Sequence, residues 1–291
     1  FIVKEVPETM YNTSVSVPPP NTKSTEDYMR MIKINPFSLQ HIPNPTEEMK
    51  LTALRENGLV LEFIDHPTKE MKLVALKNTA KAIQFIPDAP KELLEQAVHK
   101  SWTNLAYIKH PPEWLIMEAI SQSGWAIQYA ENPSEELQMA AIEQNYDAIR
   151  YIKHPTPRVQ AAAAAINYTA LRYIDKPSFE AQCIAIANNE QAIRLFVDTD
   201  TETLLTFLKI NILVIRYLPR NRLVSNDDLK RVLKETLSRD DVPEKYVRDF
   251  IDCRRIETDY GWSPVDKLLF VYRYGSRKAK QITVDEKLKI Q

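Results

Sequence analysis

Glycine is almost missing: four residues in 291, which leaves no phosphate-cradling Gly-rich loop. Cysteine is nearly as scarce. Cys183 and Cys253 are too few for a disulfide framework, contain no Cys-x-x-Cys, and fit a reducing compartment. With five histidines there is no His-Glu-x-x-His pattern, and Gly-x-Ser-x-Gly is absent too. No apolar run approaches the ~20 residues of a membrane-spanning helix. The opening FIVKEVPETMYNTSV lacks an initiator Met and a signal-peptide layout, so Phe1 reads as a cut end with further chain upstream. A net charge of −1 gives no bulk attraction to nucleic acid or anionic membrane. These absences argue against an enzyme, against a metal or other cofactor, and against a membrane protein. They set the expectation of a cytoplasmic one.

Proline, by contrast, is plentiful at 19 residues, and its placement is regular. Arranged in rows of 22, the columns from residue 24 to 221 align as nine repeats without an insertion. One column reads Ala53, Ala75, Ala97, Ala119, Ala141, Ala163 and Ala185, flanked by Met31 and Phe207. Ten residues later a mostly aromatic column includes Phe63, Phe85, Tyr107, Tyr129, Tyr151, Tyr173 and Tyr217. Four residues past the Ala column every position is Asn, Ser or Thr, all capping residues.

Each repeat reads as two helices. The first starts just after proline with a Thr or Ser cap and carboxylates in its first turn, as in Thr46-Glu47-Glu48 and Ser134-Glu135-Glu136. The Asn/Ser/Thr column ends it and caps a second helix of about two turns, such as Tyr146 to Ile152. At ~100° per residue, Ala148, Ile149, Tyr151 and Ile152 span an apolar arc of about 160°. So short a helix is unstable alone and must dock on its own and neighbouring repeats. The expected fold is therefore an all-α solenoid, with a Pro/Ser-rich arm at 1–23, repeats at 24–221 and a C-terminal helical cap at 222–291. Cap helices are predicted over 225–237, 242–256 and 263–275, the last with Val265, Leu268, Leu269, Val271 and Tyr272 available for packing. The tail RKAKQITVDEKLKIQ is predicted to be disordered.

The repeats, NPSEELQMAAIEQNYDAIRYIKHP above all, resemble an uncharacterised family of short helical repeats. The family occurs in large double-stranded DNA bacteriophages and some intracellular bacteria. The likeness rests on P-[ST]-x-E, A-[IL]-x-x-N and A-I-x-[YF]-I over residues 24–221. It implies a phage-encoded protein of the host cytoplasm or virion.

The candidate site is the column opposite the apolar arc, which reads Gln40, Glu62, Gln84, Ala106, Gln128, Arg150, Arg172, Arg194 and Arg216. Four consecutive arginines in register form a ladder that can hold phosphates or a row of carboxylates, since guanidinium pairs bidentately with both. The competing reading is a solvated face ion-paired to nearby Glu. Trp114 and Trp125 break the pattern, either as exposed protein-binding hot spots or as residues partly buried against an adjacent repeat.

His66, His110 and His154 recur every 44 residues, too far apart to share a metal, and read as turn residues. The aromatic column reads as packing at the edge of the arc and not as a base-stacking platform. Asp259, Tyr260 and Asp266 lie near one another without a recognised signature. Basic residues Arg254, Arg255, Arg273, Arg277, Lys278 and Lys280 follow the ladder and would extend it if the cap folded back. The favoured function is a scaffold that binds a host or virion protein. The alternatives are nucleic-acid binding through the Arg ladder and a non-catalytic domain of a larger enzyme.

Overall fold

The computed structural model describes residues 23–219, 224–258 and 263–288. The expected N-terminal arm lies outside them except for Lys23, as do Asp259 and Tyr260. Among the described residues all regular structure is helical, in a repeating pattern of helix pairs that makes the chain an α-solenoid. Two compact units divide at Lys100/Ser101, inside the fourth repeat.

The first unit holds α1 (Thr25–Ile34), α2 (Glu47–Glu56), α3 (Lys69–Asn78) and α4 (Lys91–Lys100). The second continues with α5 (Glu113–Ile120), α6 (Glu135–Gln144), α7 (Pro157–Ile166), α8 (Phe179–Asn188) and α9 (Thr201–Ile210). The expected caps are in place: Thr46, Thr68, Ser134, Thr156 and Ser178 each accept the N3 amide of the helix they open. At the other end a single extended residue, such as Asn145 (φ −144°, ψ 107°), closes one helix and opens the next. Within the array alanine fits its column because the neighbouring repeats leave little room: Ala53, Ala75, Ala119, Ala141, Ala163 and Ala185 are fully buried, while at the last repeat the column holds the buried ring of Phe207.

The second element of every repeat differs from the expectation. It is a six-residue 3-10 helix, for example Tyr146–Tyr151, and not a two-turn α-helix. With only six residues, i→i+3 bonding satisfies more of the backbone than i→i+4 would, at the cost of poorer geometry. The phase changes with it, because in a 3-10 helix residues i and i+3 eclipse one another. Asp147 therefore shares a face with Arg150, and Ala148 with Tyr151.

Side chains also stitch repeat to repeat. Buried Gln160 donates to the Pro155 carbonyl (2.9 Å) and accepts from the Ser178 amide of the following repeat (2.7 Å). Gln138 makes the corresponding pair with Pro133 and Thr156. Asn78 and Gln144 reach back to C-terminal carbonyls of the preceding repeat's helix, Arg55 (2.7 Å) and Ser121 (2.9 Å).

Two repeats use glycine for closer contact. The amides of Gly58 and Gly124 donate to Asn78 and Asn145 of the next repeat (3.0 and 2.9 Å). A Cβ at either position would overlap the carbonyl oxygen of Ala75 or Ala141. Thr79 and Asn145, the capping residues facing these glycines, make no cap bond to their own 3-10 helix.

The cap consists of α10 (Asn226–Leu237), α11 (Glu244–Asp252), α12 (Lys267–Tyr274) and α13 (Arg277–Leu288). It shares one core with the last repeats through fully buried Phe207 and Phe250, and the buried Tyr246 hydroxyl donates to the Leu208 carbonyl (2.9 Å). The second and third helices are shorter than expected, and the described part of the segment expected to be disordered is helix α13, Arg277–Leu288. Its burial runs through Ala279, Ile282 and Thr283, and an Arg248–Glu286 ion pair ties it to α11. A buried stripe with one large apolar residue, Ile282, between Ala279 and Thr283 carries too little hydrophobic contrast to read as a helix face. Cys183 is half-buried and Cys253 buried, both as free thiols.

Candidate functional site

The Arg column lies on the outer face of the 3-10 helices of the second unit. Arg150, Arg172, Arg194 and Arg216 are all exposed, each followed at once by a residue of the half-buried or exposed 151/173/195/217 column. Two of these side chains lie beside aromatic rings of their own or adjacent repeats. The Arg150 guanidinium carbon lies 5.9 Å from the Trp125 ring centroid, 5.2 Å from Tyr151 and 5.7 Å from Tyr173. That of Arg194 lies 4.7 Å from Tyr217. These are cation–π distances. The Tyr151 and Tyr173 hydroxyls beside Arg150 also raise its pKa above the ordinary guanidinium value.

The solvated reading required ion pairs to nearby Glu. Among the described residues none of the four arginines has a carboxylate within the 4.0 Å of an ion pair. Ion pairing occurs elsewhere, as between Arg158 and Glu135 on the α-helices (3.3 Å). The one carboxylate eclipsed with the column, Asp147, accepts the indole N–H of Trp125 at 2.9 Å. Arg150 is thus surrounded by three rings, Arg194 lies over one, and Arg172 has no ring or acid partner among the described residues.

The aromatic column is packed at the edge of the core as expected, since Tyr151 and Tyr217 are half-buried. It has a second role that the α-helical phase concealed: it forms the surface against which the guanidinium groups lie. A period of three was the signal that would have revealed it, because Trp125 with Gln128 and Asp147 with Arg150 are spaced i, i+3.

Trp125 is 38% exposed and Trp114 39% exposed, so both combine partial burial with an open face. The structure brings Trp125 to Arg150. It leaves Trp114 on the first turn of α5, on the other helix of its repeat.

Among the basic residues of the cap, Arg255 reaches the ladder and donates to the carbonyls of Arg216 (2.7 Å) and Leu218 (2.9 Å). It caps the last 3-10 helix and does not supply a free charge. The histidines occupy turns as expected: His66 and His110, with Asn44 and Asp88, sit at φ between 48° and 53°. Their residue types tolerate that left-handed region better than most. No group of three or more His, Cys, Asp or Glu among the described residues is placed to hold a metal ion. No helix among them is long and apolar enough to cross a membrane.

No family model, curated protein or solved structure matches the chain.

Proposed function

We propose that the chain is a non-enzymatic scaffold that binds another protein on the face carrying Trp125, Arg150, Arg172, Arg194 and Arg216. The observation that carries this reading is Arg150, held among three rings without a carboxylate partner. The rings hold the guanidinium in place by cation–π attraction while N–H donors remain for a partner's carboxylate or carbonyl. Arg, Trp and Tyr are also the residue types that most often dominate interface energies. The resemblance of the repeats to those of phage proteins supports a host or virion protein as the partner, with the host cytoplasm or the virion as its place of action.

Nucleic acid is the second reading, supported by the same four arginines and the rings beside them. A pull-down from bacterial lysate, with and without nuclease, separates the two. The bait is the wild-type chain or a variant with Arg150, Arg172, Arg194 and Arg216 all changed to Ala. The scaffold reading expects a stoichiometric protein that survives nuclease and is lost with the variant. Recovery of nucleic acid that disappears with either treatment overturns it.

A further inference from the structure

Helices α10 and α12 flank a surface groove of about 710 Å³. Leu269, Phe270, Arg273 and Tyr274 face it from α12, and Lys230, Arg231 and Lys234 from α10, each set following helical periodicity. Of the five apolar residues expected to pack here, Val265 and Val271 are buried, whereas Leu268, Leu269 and Tyr272 are exposed, and the buried ring of the helix is Phe270 instead. Leu269 is 42% and Tyr274 40% exposed, so the groove has apolar walls that no other described residue covers.

The charges around these walls are unequal. Arg231 is paired with Asp228 (2.8 Å), and Glu235 with Lys209 (2.6 Å). Asp266 accepts the Leu269 amide (2.9 Å) as the cap of its own helix. Lys230, Lys234 and Arg273 have no ion pair among the described residues, and Lys234 lies 5.3 Å from the Tyr274 ring centroid. Three unpaired cations therefore rim an apolar groove. The lining also carries the carboxylates Asp227, Glu235 and Asp266. A continuous phosphate backbone would meet them in repulsion, whereas separate carboxylates on a folded peptide can pass between them.

We infer that this groove docks an acidic amphipathic helix of a partner protein. An apolar side chain of the partner sits on Leu269 and Tyr274, and its acidic residues pair with Lys230, Lys234 and Arg273. The mode is a helix laid in a groove. The 12 residues of α10 match roughly three turns of such a helix, about 18 Å. This site does not depend on the Arg face.

The test uses the full chain and a fluorescein-labelled peptide of about three helical turns, with Leu on one face and Glu beside it. Anisotropy is measured against that peptide, a Glu-to-Gln version, a Leu-to-Ala version and a single-stranded oligonucleotide. The acidic peptide is expected to bind, and each substituted peptide to bind at least about tenfold more weakly. Lys234→Glu and Arg273→Glu reduce binding by a similar factor, and a peptide carrying Lys in place of one Glu recovers affinity for Lys234→Glu. These exposed substitutions leave the thermal melt unchanged, and the four-arginine variant of the other face binds the peptide normally.

The inference is overturned if the acidic peptide does not bind, if the Gln version binds equally, or if the groove variants have no effect. It is also overturned if the oligonucleotide binds and loses affinity in the same variants. Self-association of the wild-type chain abolished by Leu269→Asp would assign the groove to a second copy and refute it as well.

Discussion

Gly124→Ala is the most direct probe of how the repeats are held together. The added Cβ would overlap the Ala141 carbonyl oxygen and lie 3.1 Å from both the Ala141 carbonyl carbon and the Asn145 amide nitrogen. These are backbone atoms at the end of α6, so they cannot rotate aside as a flexible side chain would. The following repeat must move outward, which breaks the 2.9 Å bond from the Gly124 amide to Asn145. Overpacking of this kind costs about 1–3 kcal/mol, and the lost hydrogen bond adds about 1 kcal/mol. Two effects offset this. Alanine restricts the unfolded chain, worth about 0.4–1 kcal/mol, and Asn145 becomes free to cap its own 3-10 helix, as Asn167 does at 3.0 Å. The net expectation is a loss of about 1–3 kcal/mol.

Two compact units make a single global unfolding curve a poor readout, so the assay is native-state hydrogen exchange at the amides of α5 and α6. Glu190→Ala is the control. It occupies the same column, already carries a Cβ, and is expected to change stability by no more than about 0.5 kcal/mol. Unchanged or increased protection in Gly124→Ala would refute the close-approach argument.

Three further outcomes are expected. Gln160→Leu removes both hydrogen bonds of a buried amide and strands the Ser178 N–H and Pro155 carbonyl, costing about 1–3 kcal/mol by native-state hydrogen exchange at the amides of α7 and α8; a neutral result would show that solvent or a neighbour replaces them. Asp200 and Asp228 have folded pKa values below their ordinary 3.8, from the Thr203 amide and the Arg231 guanidinium respectively. Their stabilisation is present above that value and is lost as pH falls through the folded values, so the melting temperature drops in that window and Asp200→Asn with Asp228→Asn flattens the drop. Arg150→Ala, at an exposed position, leaves the melt in place but shifts Trp125 emission, whereas Arg172→Ala, with no ring beside it among the described residues, does not.

Architecture was legible in the chain because a stacked repeat writes its packing into every row. Each alanine of the Ala column meets the same neighbours, and each Asn, Ser or Thr of the capping column ends one helix and starts another. Register, caps and the all-α fold could therefore be read without coordinates. The type of the second helix could not, since six residues with buried positions at Ala148 and Ile149 fit either helical phase. That choice determined the site. Only in the 3-10 geometry do Asp147 and Arg150 eclipse, and only stacking brings Arg150 beside Trp125 and Tyr173, 25 and 23 residues away in the chain.

The cap was less legible still. Outside the repeat there are no columns to compare, and α13 packs through Ala279, Ile282 and Thr283, which carry little periodic signal. The row of arginines and the helical scaffold beneath them are written in the chain itself. That aromatic rings, and not carboxylates, lie beside Arg150 and Arg194 followed from the packing of the repeats, because distance between repeats is set by packing and not by position along the chain.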